Sequence, residues 1–179
     1  MRVMLSLAAV VGLALTGAKA DDVKSGPGKK IGGAFNVKAF TGEKAGETLC
    51  YVCKFSADQT PAAVLIFTQK ADENVAKLVQ AVDAVQKTNA KLGTCVIGIG
   101  GVTGSDLEKL QTTHKLTAPL TVATDTDGPG AYKLNKSAAV TVLVYKRGGE
   151  ITQSYGFSDT KSAVAKAADI AAAARTAVE

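Results

Sequence analysis

The chain alternates between stretches that are apolar at every position and stretches that are apolar only every third or fourth. "AAVLIFT" (62–68) is an unbroken apolar run rich in branched side chains, which reads as a strand buried on both faces. In "DENVAKLVQAVDAVQKTN" (72–89), Val75, Leu78, Val79, Val82 and Val85 fall on one helical stripe. "LGTCVIGIGG" (92–101) is a second buried strand closing on a glycine turn, and "PLTVAT" (119–124) a third. Between them, Ser105 to Glu108 has capping-box spacing, which predicts a helix running to about His114. A short helical piece fits 131–134. "VTVLVYK" (140–146) and "EITQSYGF" (150–157) flank "RGG" as a hairpin. Ser158 or Asp159 then caps an Ala-rich helix whose apolar face is Val164, Ala167, Ala168, Ile170 and Ala171.

The element order is β-α-β-α-β-(α)-β-β-α. Strands that alternate with helices pair in parallel, and the closing hairpin adds antiparallel strands. This predicts an α/β fold with a mixed central sheet and helices on both faces.

The N-terminus changes the setting. Arg2, the apolar "VMLSLAAVVGLAL" and Ala18-Lys19-Ala20 have the layout of a secretory signal peptide over residues 1–20. The run is shorter than the ~20 residues of a membrane span, and no later stretch would cross a membrane. "DDVKSGPGKK" (21–30) reads as a flexible leader, leaving 31–179 as one domain with room for a core. Removing Arg2 and Lys19 lowers the formal charge from +5 to about +3. The lysines are scattered among acids with no basic stripe, which argues against nucleic-acid binding. The expected location is periplasmic or secreted, an oxidising setting in which the three cysteines can form disulfides.

Two of those cysteines stand in "ETLCYVCKFS" (47–56), spaced C-x-x-C, and their chemistry depends on the backbone. In a strand, three residues at ~3.3 Å each put the Cα atoms ~10 Å apart, whereas a disulfide needs roughly 4.4–6.8 Å. Cys50 and Cys53 would then be small buried hydrophobes, and Tyr51 and Val52 favour that geometry. If the chain bends at Tyr51-Val52 the sulfurs meet, forming a dithiol or a small-ring disulfide, with Lys54 adjacent and Lys44 and Lys70 as further cations to favour a thiolate. A structural zinc site needs four ligands, and only Cys95 and His114 remain to complete one. Mid-strand, Cys95 reads as an inert buried thiol, and His114 as a complement to a helix C-terminus.

The other motifs are ordinary turns. Asp125 and Asp127 in "TDTDGPG" lack the further oxygens of a calcium loop. "GIGGVTG" (98–104) lacks both the Lys-Ser/Thr ending of a P-loop and the G-x-G-x-x-G order. No Ser-His-Asp set has supporting context. No metal or cofactor is expected.

In this order of elements the chain resembles the thioredoxin-like superfamily, in particular its redoxin and peroxiredoxin (AhpC/TSA-type) branch. "IGGAFNVKAFTG" (31–42) is similar to that branch's opening and "TVLVYKRGGEI" (141–151) to its late hairpin. With "LCYVCK" and "AYKLNKSAAVTVLVY", the whole also resembles secreted thioredoxin-like proteins of planctomycete bacteria. The resemblance implies a thioredoxin-like domain over 31–179. It also implies thiol–disulfide exchange with protein or small-molecule disulfides or a redox partner protein. Cys50 would attack and Cys53 resolve, since the N-terminal Cys attacks in thioredoxins.

The departures narrow this. The thioredoxin C-x-x-C position is "IFTQKADEN" (66–74), without a cysteine. Thr68 could match the peroxiredoxin Thr, but Ala71 stands where the peroxidatic Cys belongs, which argues against peroxidase activity. Ser137 to Val140 replaces the cis-Pro, and Pro119 lies on an earlier strand. The leading expectation is therefore an exchange site relocated to Cys50 and Cys53. The alternative is a non-catalytic thioredoxin-fold binding module whose Cys pair is structural or unpaired.

Overall fold

The computed structural model describes residues 23–179; the signal peptide expected at 1–20 lies outside them. In chain order the elements are β1 (Val37–Ala39), β2 (Thr48–Leu49), α1 (Tyr51–Ala57), β3 (Ala62–Thr68), α2 (Glu73–Thr88), β4 (Leu92–Gly98), α3 (Gly104–His114) and β5 (Leu120–Ala123). A 3₁₀ turn (Gly130–Tyr132), β6 (Val140–Lys146), β7 (Ile151–Phe157), α4 (Thr160–Ala165) and α5 (Ala167–Val178) follow. They form one seven-stranded sheet in the order β2-β1-β5-β4-β3-β6-β7. β3, β4 and β5 run parallel; β6 is antiparallel to β3, β7 to β6, and β1 to both β5 and β2.

The apolar runs sit at the centre of this sheet because both of its faces are covered. On one face Val64, Ile66, Val96, Val142 and Leu120 pack with α2, α3, α4 and α5. On the other, Leu65, Phe67, Cys95, Ile97 and Leu143 pack with Tyr51 of α1, Tyr132 and the segment around Phe35. Each fully buried Leu, Ile, Val or Phe here contributes about 1.5–3 kcal/mol from burial. Helices therefore lie on both faces, but unevenly: α1 and the 3₁₀ turn hold one face and four helices the other.

Several boundaries differ from the sequence reading. The α3 capping box forms earlier than Ser105–Glu108: Thr103 Oγ1 accepts the Asp106 amide, and Asp106 accepts the Thr103 amide. Asp159 caps the C-terminal helix, which breaks at Lys166 into α4 and α5. That break turns Ala168 to solvent and buries Ala163, Ala174 and Ala177 instead. The leader read as flexible at 21–30 is docked from Val23 onward. Val23 N–H bonds Gly156 O, and Lys29 O and Ile31 N–H pair with the β6–β7 turn. Ser25 is buried, its hydroxyl 2.7 Å from that of Thr141 and accepting the Asn135 amide. A Cβ on Gly156 would run into the Val23 carbonyl, so the glycine is what admits the leader to this edge.

Candidate active site

β2 delivers the chain to Cys50, which keeps an extended backbone (φ −107°, ψ 107°), and the next residue begins α1. The helix is closed by Lys54 N–H to Cys50 O at 3.0 Å and Asp58 N–H to Lys54 O at 2.8 Å. The strand reading of Leu49–Phe55 is thereby overturned. The physical reason is the placement of aromatic residues. At helical spacing Tyr51 and Phe55 share one face, their rings 5.9 Å apart and turned toward the sheet. The same spacing sets Cys50 and Cys53 one turn apart, with Cα atoms 5.2 Å apart and the sulfurs bonded to each other. The bend that a disulfide requires is one turn of helix.

Cys50 is the N-cap: its Sγ lies 3.1 Å from the Cys53 amide and accepts that hydrogen bond. Cys53 is exposed and Cys50 half-buried. The sheet beneath is shaped for the helix. Gly93 of β4 lies under Phe55, and a Cβ there would come within 2.8 Å of the ring. The phenol of Tyr51 is pushed up to about 12 by burial, with smaller contributions from Cys95, Glu43 and Glu47.

Two of the three cations expected around the sulfurs are engaged elsewhere. Lys54 holds Asp58 at 2.6 Å, which raises its own pKa, and Lys44 holds Glu47 at 3.4 Å. Lys70 belongs to the β3–α2 turn. Two clefts flank α1. One, beside Tyr51 and Lys54, is lined in part by Thr94 and Gln86, whose Oγ1 and Oε1 are buried without hydrogen-bond partners. The other, beside Val52 and Phe55, includes Tyr145.

The β3–α2 turn contains no sulfur. The Thr68 hydroxyl bonds Lys70 O at 2.6 Å and accepts the Lys70 amide at 3.1 Å. Gln69 N–H bonds Ala139 O, and its side chain reaches Lys136 O and Ala138 O at 3.0 and 2.8 Å. Ala71 packs on the core. The segment before β6, Lys136 to Ala139, is thus held by Gln69.

The remaining sequence candidates fall apart in space. Cys95 is buried on β4, and burial pushes its thiol up to about 12 against a smaller opposing effect of the Thr121 hydroxyl. His114 ends α3, its carbonyl accepting from Gln80. Asp125 accepts the Asp127 amide in a turn, and Asp127 pairs with Lys136 at 2.6 Å. Among the described residues no group of three or more His, Cys, Asp or Glu is arranged to hold a metal ion, and no helix is long and apolar enough to cross a membrane. Gln86, Thr94 and Tyr145 were not singled out in the sequence. Each sits in an ordinary amphipathic or buried run, and only the tertiary packing leaves its polar atom unpaired.

A mixed sheet of this order with helices on both faces is a thioredoxin fold, here with a C-x-x-C disulfide at the start of the helix preceding the first central strand. Comparison with solved structures agrees on the fold. The chain is similar to a candidate protein disulfide isomerase from Bacteroides thetaiotaomicron, at 15% identity and a TM-score of 0.58 over 83% of this chain and 92% of that one. It is similar to the peroxidoxin BcpB from Mycobacterium tuberculosis, at 14% and 0.57 over 87% and 98%. It is also similar to a thiol-disulfide oxidoreductase from Bacteroides fragilis, at 14% and 0.52 over 73% and 89%. No protein-family model matches the chain, and no curated sequence does.

Proposed function

We propose that this is an exported protein of the redoxin branch that carries out thiol–disulfide exchange at Cys50–Cys53 on protein or small-molecule disulfides. The observation that supports it is the disulfide itself: two sulfurs bonded across one helical turn, one of them exposed, the other at the helix cap within 3.1 Å of an amide donor. The exposure of Cys53 supports the opposite assignment of roles to the one that sequence order suggested. An incoming thiolate attacks Cys53 Sγ, forming a mixed disulfide, while Cys50 leaves as a thiolate held by the Cys53 amide. A second thiolate of the partner then attacks the partner's own sulfur and releases Cys53. One disulfide is reduced to two thiols while two partner thiols become a disulfide. In the reverse direction Cys53 attacks the substrate and Cys50 resolves.

The competing reading is a binding module stapled by an inert disulfide. The reduction potential separates them. A value between about −270 and −120 mV, the range of exchange proteins, supports exchange; one below about −300 mV marks a staple. A Cys53→Ser variant is expected to form no mixed disulfide, while Cys50→Ser is expected to trap one through Cys53. If Cys53→Ser instead traps the partner, the assignment of roles is wrong.

A further inference from the structure

Of the two clefts beside α1, only one defines the chemistry of an occupant. The cleft at Tyr51 is lined by Glu43 as well as Lys44 and Lys54, and both lysines are already matched to Glu47 and Asp58. The cleft on the other side is different. It is a cavity of about 240 Å³ between α1, the leader and the β6–β7 turn. Ile31, Val52 and Phe55 make its wall largely apolar. Lys30 and Arg147 are exposed at its rim and form no ion pair among the described residues. None of its lining residues is acidic. Tyr145 forms part of the wall at 5% exposure, and its phenol oxygen is buried without a hydrogen-bond partner.

Unpartnered buried hydroxyls are uncommon, since each forfeits the hydrogen bonds it had in water. The Tyr145 oxygen is itself closed off from the cavity, which offers an occupant an apolar wall and two cations at the rim. The volume is at or below the lower end of small-molecule sites, about 300–1,000 Å³. We infer that this cavity binds a small organic carboxylate with an apolar body. The body lies against Val52, Phe55 and Ile31, and the carboxylate meets Arg147 and Lys30. Because Val52 stands between the two cysteines, the ligand lies alongside the disulfide-bearing turn. Binding needs no exchange chemistry, so it stands or falls apart from the proposed function.

The test uses 4-phenylbutyrate and its uncharged amide, titrated into the full-length oxidised protein and followed by amide chemical shifts. The carboxylate is expected to saturate and to bind about tenfold tighter than the amide, with shifts on Ile31, Val52 and the 147–149 turn. Arg147→Gln is expected to remove most of that preference. Lys30→Gln is expected to weaken binding of the carboxylate about threefold and to leave binding of the amide unchanged. Equal binding of acid and amide, shifts confined to other surfaces, or no saturation by about 10 mM would each overturn the inference. Binding of an acidic, apolar peptide without binding of 4-phenylbutyrate would overturn the choice of a small ligand.

Discussion

The start of α1 and the start of α2 pose the same local problem. In each, a strand hands the chain to a helix, and a side chain at the cap must accept the amide three residues on. At α2 the acceptor is the Asp72 carboxylate, 3.0 Å from the Val75 amide and also bonded by the Thr160 hydroxyl at 2.7 Å. At α1 it is the Cys50 sulfur, bonded covalently to the residue whose amide it accepts. The carboxylate cap is locked into its neighbours, as are Thr68 and Gln69 before it. The sulfur cap is half open to solvent and can change oxidation state. The junction that carries the dithiol in thioredoxins is here a structural clasp, and the bonded sulfurs stand at the preceding helix. Between β2, which leads to the pair, and β3, which leads to the clasp, lie three strands, about 19 Å at about 4.8 Å per step.

The largest effect is expected from the sulfurs. Cys53→Ser should reduce disulfide-exchange turnover to background, while Ala71→Cys in that variant should restore none, because the Thr68 hydroxyl and Gln69 stay committed to the turn. Recovery of activity at position 71, read by insulin or small-disulfide reduction, would show that the clasp can still act as a redox site.

Next comes the seat of α1. Gly93→Ala drives a methyl toward the Phe55 ring and should cost about 1–3 kcal/mol in urea unfolding. It should also shift the reduction potential, because the displaced helix carries the pair. A destabilised protein with an unchanged potential would uncouple the two.

Removing the carboxylate cap should do the opposite. Asp72→Ala is expected to cost about 1–2 kcal/mol and leave the potential of the pair untouched. A shift in potential would mean that clasp and dithiol communicate.

The smallest effect concerns Cys95. Burial raises its folded-state pKa from an ordinary value near 9 to about 12. Its contribution is therefore intact below about pH 9 and lost as pH climbs toward 12, since only the unfolded thiol ionises readily there. Between pH 8 and 10 wild type should lose roughly 1 kcal/mol more stability than Cys95→Ala. At neutral pH, alkylation of the reduced native protein should label Cys50 and Cys53 and spare Cys95.

The sequence alone determined the framework. The runs 62–68 and 92–98 are apolar or small at nearly every position, as strands covered on both faces require, 140–146 and 150–157 form a hairpin around a glycine turn, and the stripe of 72–89 fits a helix lying on the sheet. It equally determined that no sulfur could stand between Thr68 and Asp72. It did not determine the backbone of 50–53. Leu49, Tyr51, Cys53 and Phe55 alternate as a strand would, while Tyr51 and Phe55 are also one helical turn apart, and a seven-residue helix is too short for local propensity to decide. The choice falls to a distant residue: Gly93 leaves the hollow into which Phe55 packs, and once α1 lies there the two sulfurs are brought within bonding distance. The docking of residues 23–31 was also settled at a distance, by Gly156 and Thr141 on strands more than a hundred positions away. Periodicity reports which face of an element is buried. It does not report what a side chain from elsewhere in the chain will meet there.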